Sequence, residues 1–416
     1  MTLRLRRKLF AFFVALFLVG GVCITLYSQG YRIDTSSWEI TKTGAVYIES
    51  RPKDPRITLN AKEYKNKSSL LRSGTLITNI IPKRYRLVLS KEGYYGYEKN
   101  IEVTSASVAR VLHATLVPLS LASSTATTSE KISSLTSTQE GTLIGYSTKG
   151  SLLALDSIAG TATNISTRIS PFFKSKIKNI VPYGQGNDTF LVYTTSGLYR
   201  VNTKSKEITQ ITTDKSISSI QIRRNNAYWI SHATSSVFVI YDLTLNNIAS
   251  RTILQEPSSV RNVIISDNWM GLIDTQDDLW LGTPGKSGLV KLAHDAAFAS
   301  FSPDETKLFF QDNDGKAFVY LLSDDKAGLE ATKGTTIPLS LINAGRIEKR
   351  WWYKDSYHLF LLYQDGSLVF AEITDQEPNN HYTIARNIND VIYEEHANAL
   401  YGLVNENVIL TLPFSL

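Results

Sequence analysis

Acid–base or metal chemistry in this sequence would have to draw on six histidines: His113, His232, His294, His358, His381 and His396. None forms a His-Glu-x-x-His pair or a neighbouring acid–base cluster, so strand and surface positions account for them. No Gly-x-Ser-x-Gly elbow offers an activated serine. Gly285-Lys286-Ser287 has the ending of a phosphate-binding loop, but Trp280 stands where its first glycine belongs. Asp312-Asn313-Asp314-Gly315 has the opening of a calcium loop without the later ligands and terminal glutamate, and reads as a hairpin turn. The single cysteine, Cys23, excludes an intramolecular disulfide and a multi-cysteine zinc site. No catalytic residue, metal site or cofactor is therefore assigned. One cluster, Lys349-Arg350-Trp351-Trp352-Tyr353-Lys354, pairs cations with aromatic faces. Arg350, Trp351, Trp352 and Tyr353 are the candidate ligand-binding residues, suited to a polysaccharide or an anionic ligand. The competing reading is an inner strand whose aromatics wedge between sheets.

The elements that position this cluster repeat along the back of the chain. Apolar strands lead into tight turns at Lys149-Gly150, Ser196-Gly197, Ser235-Ser236, Asp277-Asp278, Asp314-Gly315, Asp365-Gly366 and Asn405-Glu406. The second turn residues are spaced 47, 39, 42, 37, 51 and 40 apart. Units of about 40 residues with four strands each are the signature of a β-propeller. The expected fold over 132–416 is thus a propeller of seven blades, with six and eight as neighbouring counts. Asp-Gly between strands favours a two-residue primed turn with both central residues at positive φ. The last unit shows only three strands, and a strand from near residues 120–132 would complete it and cover its edge. Phe298-Ala299-Ser300-Phe301-Ser302-Pro303-Asp304-Glu305 resembles the Ser-Pro-Asp-Gly turn of TolB-like and WD-repeat propellers, with Glu305 in the glycine position.

At the front, Leu9–Tyr27 is a 19-residue uncharged stretch. As a helix it would span about 28 Å, close to the roughly 30 Å hydrocarbon core of a bilayer. Arg4, Arg6, Arg7 and Lys8 precede it, which places residues 1–8 in the cytoplasm and the rest outside by the positive-inside bias. A cleaved signal peptide is the rival, but Leu26-Tyr27-Ser28-Gln29 offers no small-x-small site. Residues 119–131 contain seven Ser or Thr and read as a flexible linker.

Between anchor and linker, residues 43–118 alternate in strand fashion and read as a small antiparallel sandwich. Ser50-Arg51-Pro52, Ile57-Thr58-Leu59-Asn60-Ala61-Lys62, Ile81-Pro82-Lys83-Arg84-Tyr85 and Lys91-Glu92-Gly93-Tyr94 resemble the PEGA domain family. Ala61 replaces a turn glycine and Lys83 the glycine usual after the proline. The resemblance implies an extracytoplasmic bacterial β-sandwich module and carries no catalytic residues. Tyr94, Tyr95 and Tyr97 could form a sugar-stacking platform, or pack against the sheet.

The whole chain has 416 residues, 43% hydrophobic and 20% charged, a globular profile. Residues 1–118 carry 19 of the 44 basic and 8 of the 38 acidic groups, and residues 119–416 the remaining 25 and 30. A basic front facing an envelope suits anionic headgroups or acidic polymers; nucleic acid is not an expected partner outside a cell. These features together point to a membrane-anchored extracytoplasmic binding or scaffolding protein of the bacterial cell envelope. Its propeller would present a face to a protein or glycan. The alternative is a glycan-active hydrolase or lyase whose site is assembled across blades.

Overall fold

The computed structural model describes the chain except at residues 1–2, 35–37, 69–72, 129, 138–142, 148–151, 157–160, 165–174, 176, 184–187, 203, 233–235, 258, 287, 327, 340–345, 375, 396 and 415–416. The expected turn at Lys149-Gly150, together with Ser235, Ser287 and His396, falls outside the described residues. Among the described residues, one helix, Leu3–Ser28, is followed by strands. Its Arg6–Ser28 stretch is long and apolar enough to cross a membrane: an 18-residue window within it has mean hydropathy 2.7 and no buried residue. The chain divides into two compact units, residues 1–119 and, apart from a few residues, 120–415.

In the first unit a hairpin, Tyr31–Asp34 with Glu39–Lys42, follows the helix. Beyond it, a three-stranded and a four-stranded sheet face each other. Val46 and Ile48 on one and Ile57, Leu59, Leu87 and Leu89 on the other are at most 2% exposed and share one core. The alternation along Gly44–Arg51 and Lys83–Ser90 puts apolar residues inward and polar ones outward, as a half-solvated sheet requires. One expectation is corrected: the sandwich is not wholly antiparallel, because Gly44–Arg51 runs parallel to Val108–Thr115. A parallel pair needs a long crossover, and the intervening strands of the opposite sheet supply it. Asn60-Ala61 forms a two-residue turn between Leu59 and Lys62 with both residues at positive φ, 45° and 65°. Ala61 holds the position without glycine's freedom. Tyr97 is 1% exposed, so it belongs to the core and offers no stacking face.

The second unit contains seven four-stranded antiparallel sheets among the described residues. We number them 1 to 7 by their first strands: Ile132–Ser137, Ile177–Pro182, Ile217–Arg223, Val260–Ile265, Ala296–Phe301, Ile347–Trp352 and Ile388–Glu394. In sheets 1 to 6 the strands follow in chain order. Sheet 7 is completed by Ser124–Thr127, which pairs with Val408–Pro413. The closing strand therefore lies inside the Ser/Thr-rich segment read as a linker, where no apolar pattern marked it.

Each sheet shares apolar core with the next. Ile144 packs with Phe190 and Val192, and Leu191 and Tyr193 with Trp229 and Val239. Ile230 meets Val263 and Leu272, and Ile273 meets Leu308 and Phe310. Phe309 packs with Leu359 and Leu361, then Phe360 and Phe370 with Tyr393 and Phe414. The succession returns to its start, because Leu135 and Leu143 of sheet 1 share a core with Tyr401 and Ile409 of sheet 7. All seven first strands also break register near their beginning, at Ile132/Ser134, Ile177/Asn179, Ser218/Gln221, Val260/Asn262, Ala296/Phe298, Ile347/Lys349 and Ile388/Asp390. Such bulges increase local twist and re-aim side chains.

The Asp-Gly hairpins differ from the expected primed form. Gly315 N–H donates to Asp312 O at 3.1 Å and Asp312 N–H to Lys316 O at 2.9 Å. Only Gly315 within that turn has positive φ. Tyr363 to Ser367 repeats the pattern around Gly366. This is a three-residue loop ending in a left-handed bulge residue, so one glycine suffices.

Candidate functional site

The register breaks of sheets 4 to 6 border a cleft of about 550 Å³. Asn262, Phe298, Glu348 and Arg350 come from first strands, and Asp312–Gly315 and Gln364 from the hairpins just described. Polar groups dominate the lining. Asp312 is engaged by its own turn, accepting from Lys316 N–H at 2.8 Å, and Gln311 Nε2 donates to Gly315 O at 2.8 Å.

Arg350 is the distinctive group of the cleft. Its guanidinium carbon lies 3.7 Å above the centre of the Phe298 ring, and Nη2 donates to Ala299 O at 3.1 Å. Burial pulls its pKa down to about 10. It forms no ion pair among the described residues, whereas its neighbour Lys349 is paired with Asp390. A desolvated cation without a counter-ion costs free energy; the same cleft is also lined by Arg346 and by the carboxylate residues Asp312, Asp314 and Glu348.

The other cluster residues go elsewhere. Trp351 is half-buried against the core shared by sheets 1 and 7. Trp352 is 7% exposed, with Nε1 donating to Ser300 O at 3.2 Å and its ring edge-on to Phe309. Tyr353 is fully buried among Phe360, Phe370, Tyr393 and Phe414, at centroid distances from 5.6 to 6.0 Å. Alternation along the strand turns Trp351 away from Arg350, while Trp352 shares Arg350's side but is buried against Phe309 and Tyr353 lies beyond the strand in an aromatic core, so the four do not converge on one ligand face. The polar hairpin side of the cleft was legible only as turns, since its meeting with Arg350 depends on how sheets 5 and 6 pack.

Three of the histidines have side-chain partners that spacing did not reveal; one is His294, an exposed side chain whose Nδ1 lies 2.8 Å from Asp278 Oδ1. His358 is 2% exposed, stacked 4.8 Å from Phe370, with Nδ1 2.7 Å from Asp355. It is enclosed and acts as a strut. His232 Nε2 lies 2.9 Å from Ser218 Oγ and Nδ1 3.2 Å from Ser236 Oγ, while Ser218 Oγ also reaches Val260 O at 3.2 Å. A hydroxyl, not a carboxylate, meets the second ring nitrogen, so the pair lacks the orienting acid of a hydrolytic triad.

Comparison with known proteins bears first on the sandwich. Residues 43–117 match the PEGA domain family model. The PEGA match covers the first unit's sandwich and leaves the larger unit unassigned. No curated protein sequence matches the chain. Among solved structures, one likeness is to PorZ of Porphyromonas gingivalis, described as an essential bacterial surface component of the type-IX secretion system. It has 14% identity and a TM-score of 0.47, over 70% of this chain and 38% of that one. Another is to Raptor of Chaetomium thermophilum, at 9% identity and a TM-score of 0.51, over 70% of this chain and 28% of that one. The chain spans well under two thirds of either protein, and at these identities the Raptor likeness concerns fold alone.

Proposed function

We propose that this protein is a membrane-anchored scaffold of the bacterial cell envelope whose second unit is a seven-bladed β-propeller. In this reading residues 1–8 are cytoplasmic, 9–27 cross the membrane, and the PEGA unit and propeller lie outside. The propeller assignment is supported by seven four-stranded sheets whose cores run in sequence and return to the first. The PEGA match supports the envelope setting, and the apolar helix supports the anchor. A tether of this kind raises local concentration, so that modest affinity suffices for a resident ligand.

The binding role rests on one observation, the Arg350 guanidinium on the wall of a polar cleft, with no ion-pair partner among the described residues. The ligand class that fits is one presenting an anionic group: an acidic peptide segment or an acidic glycan. Calorimetry of the full chain in detergent with an oligouronate and with an acidic peptide tests this. Binding of either that is lost in Arg350→Met supports the reading. Equal binding by the variant, or no binding of either probe, removes the cleft from it. Release of shortened sugars from the oligouronate would instead establish the glycan-cleaving alternative.

A further inference from the structure

The hairpin after the helix exposes an apolar face that nothing in the sandwich explains. Ile33 stands opposite Ile40 and Tyr31 opposite Lys42. Opposed and alternate residues share a face, so these four lie on one side, with Arg32 and Thr41 on the other. Arg32 ties its own side down. Nη1 donates to Tyr27 O at 2.8 Å and Tyr31 O at 2.7 Å, Nη2 to Asn79 Oδ1 at 3.1 Å, and the guanidinium lies 3.6 Å over the Tyr27 ring. At the base, Thr43 N–H and Oγ1 both donate to Gly30 O, at 2.9 and 2.8 Å. The opposite side is bare: Ile33 is 58% exposed, Ile40 63%, and Trp38 at the tip 82%.

We infer that this face lies in the interfacial layer of the bilayer that the helix crosses, forming a second membrane contact. The inference rests on the helix being an anchor. Two residues, Gln29 and Gly30, separate helix from hairpin, a reach of no more than about 10 Å. The uncharged Leu9–Tyr27 stretch matches the hydrocarbon thickness, so the helix end sits at headgroup level and the hairpin beside it. Tryptophan and tyrosine favour that layer, and Lys42 on the same face would meet lipid phosphates. The contact would fix how the first unit stands on the membrane, which a lone helix leaves free to rotate.

The test uses the full chain reconstituted in phosphatidylcholine–phosphatidylglycerol vesicles, with and without lipids brominated near the headgroup. The other tryptophans, Trp229, Trp269, Trp280, Trp351 and Trp352, all lie in the second unit. Wild type minus Trp38→Phe therefore isolates Trp38, at an exposed position whose change spares the core. The expected difference emission is blue-shifted, loses most of its intensity to brominated lipid, and is shielded from aqueous acrylamide. Emission typical of water that acrylamide quenches and brominated lipid does not would overturn the inference. Retention after alkaline carbonate is read on the same vesicles. A retained chain with a wet Trp38 defeats the hairpin contact alone, whereas a released chain defeats the anchor as well. A dimer in detergent that disappears in Trp38→Phe would assign the face to a second copy and also overturn it.

Discussion

Glu305 shows at residue scale why a motif departs from its expected form. The sequence places it where glycine is usual, and its φ of 57° confirms that the backbone there wants one. Its carboxylate repays the strain by accepting from Asp267 N–H at 2.6 Å and from Asn268 N–H and Nδ2 at 3.2 and 2.5 Å, across to the neighbouring sheet. Left-handed φ costs a side chain about 1–2 kcal/mol, while a hydrogen bond to a charged group contributes about 1.5–3 kcal/mol. Glu305→Gly is therefore expected to lower stability by about 1–2 kcal/mol in urea unfolding, and a more stable variant would refute the cross-sheet role. Ser356, φ 62°, does the same one sheet on, its Oγ accepting from Asp304 N–H at 3.1 Å. Burial alone would raise the Asp304 carboxyl, but the Ser302 hydroxyl at 2.6 Å, Lys307 and the Thr306 N–H hold it below the usual carboxylate range. A depressed folded pKa contributes stability that is present above the unfolded value and lost as pH falls through the folded one. The stability gap between wild type and Asp304→Asn should thus be widest near neutrality and shrink below about pH 4, the ordinary aspartate pKa. A gap independent of pH would mean that shape, not charge, makes the contribution. For Arg350, a functional rather than structural role predicts that Arg350→Met leaves the thermal midpoint near wild type. The substitution gives up the hydrogen bond to Ala299 O but also removes an unpaired buried charge, and the two effects offset.

At the scale of elements, the second strands and turns were legible because alternation and turn residues are local signals. Tyr228-Trp229-Ile230, Met270-Gly271-Leu272-Ile273 and Phe360-Leu361-Leu362-Tyr363 all fall inside strands of the structure. Ser124–Thr127 was legible only by counting, since a four-residue run of Ser, Thr and Ala has no core face and takes its conformation from the edge it covers. The hairpin at Tyr31–Lys42 escaped for a related reason: Ile33 and Ile40 pair with each other and with no core, so no pattern of burial announced them. Arg350 was visible as a residue, but that Trp352 and Tyr353 are buried while Arg350 reaches a cleft depended on how sheets 5 and 6 pack, which no local pattern shows. The closing strand has a testable consequence. Adjacent strand residues alternate their hydrogen bonds, so Thr125→Pro with Ala126→Pro must break at least one rung of the pairing with Val408–Pro413. The double variant is expected to lose about 2–4 kcal/mol and to associate as its concentration rises, because the bared strand is a template for another chain. Unfolding and light scattering unchanged from wild type would show that sheet 7 stands without its fourth strand.

For the whole molecule, the uneven charge decides what to expect at a membrane. The first 118 residues hold the cationic excess, yet three of its arginines are already engaged on the outer face of the four-stranded sheet. Arg56 pairs with Glu63 at 3.4 Å, Arg84 with Glu102 at 3.6 Å, and Arg86 with Glu98. Exposed pairs of this kind contribute about 0–1 kcal/mol each to stability, but they cancel field in the direction they face. Attraction to anionic lipid or acidic polymer must then come from the other lysines and arginines of the unit, and it adds to the helix rather than replacing it. Two measurements separate the contributions. Deleting residues 1–27 should move the chain from the membrane to the soluble fraction at about 0.15 M salt, where charges interact over only about 8 Å. The same truncated chain should rebind anionic vesicles at low ionic strength and detach as salt rises. Rebinding that ignores salt would assign the residual affinity to the apolar face of Ile33, Trp38 and Ile40, and Trp38→Ser would then abolish it. An intact chain that stays soluble throughout would count against the anchor itself, whatever its charge.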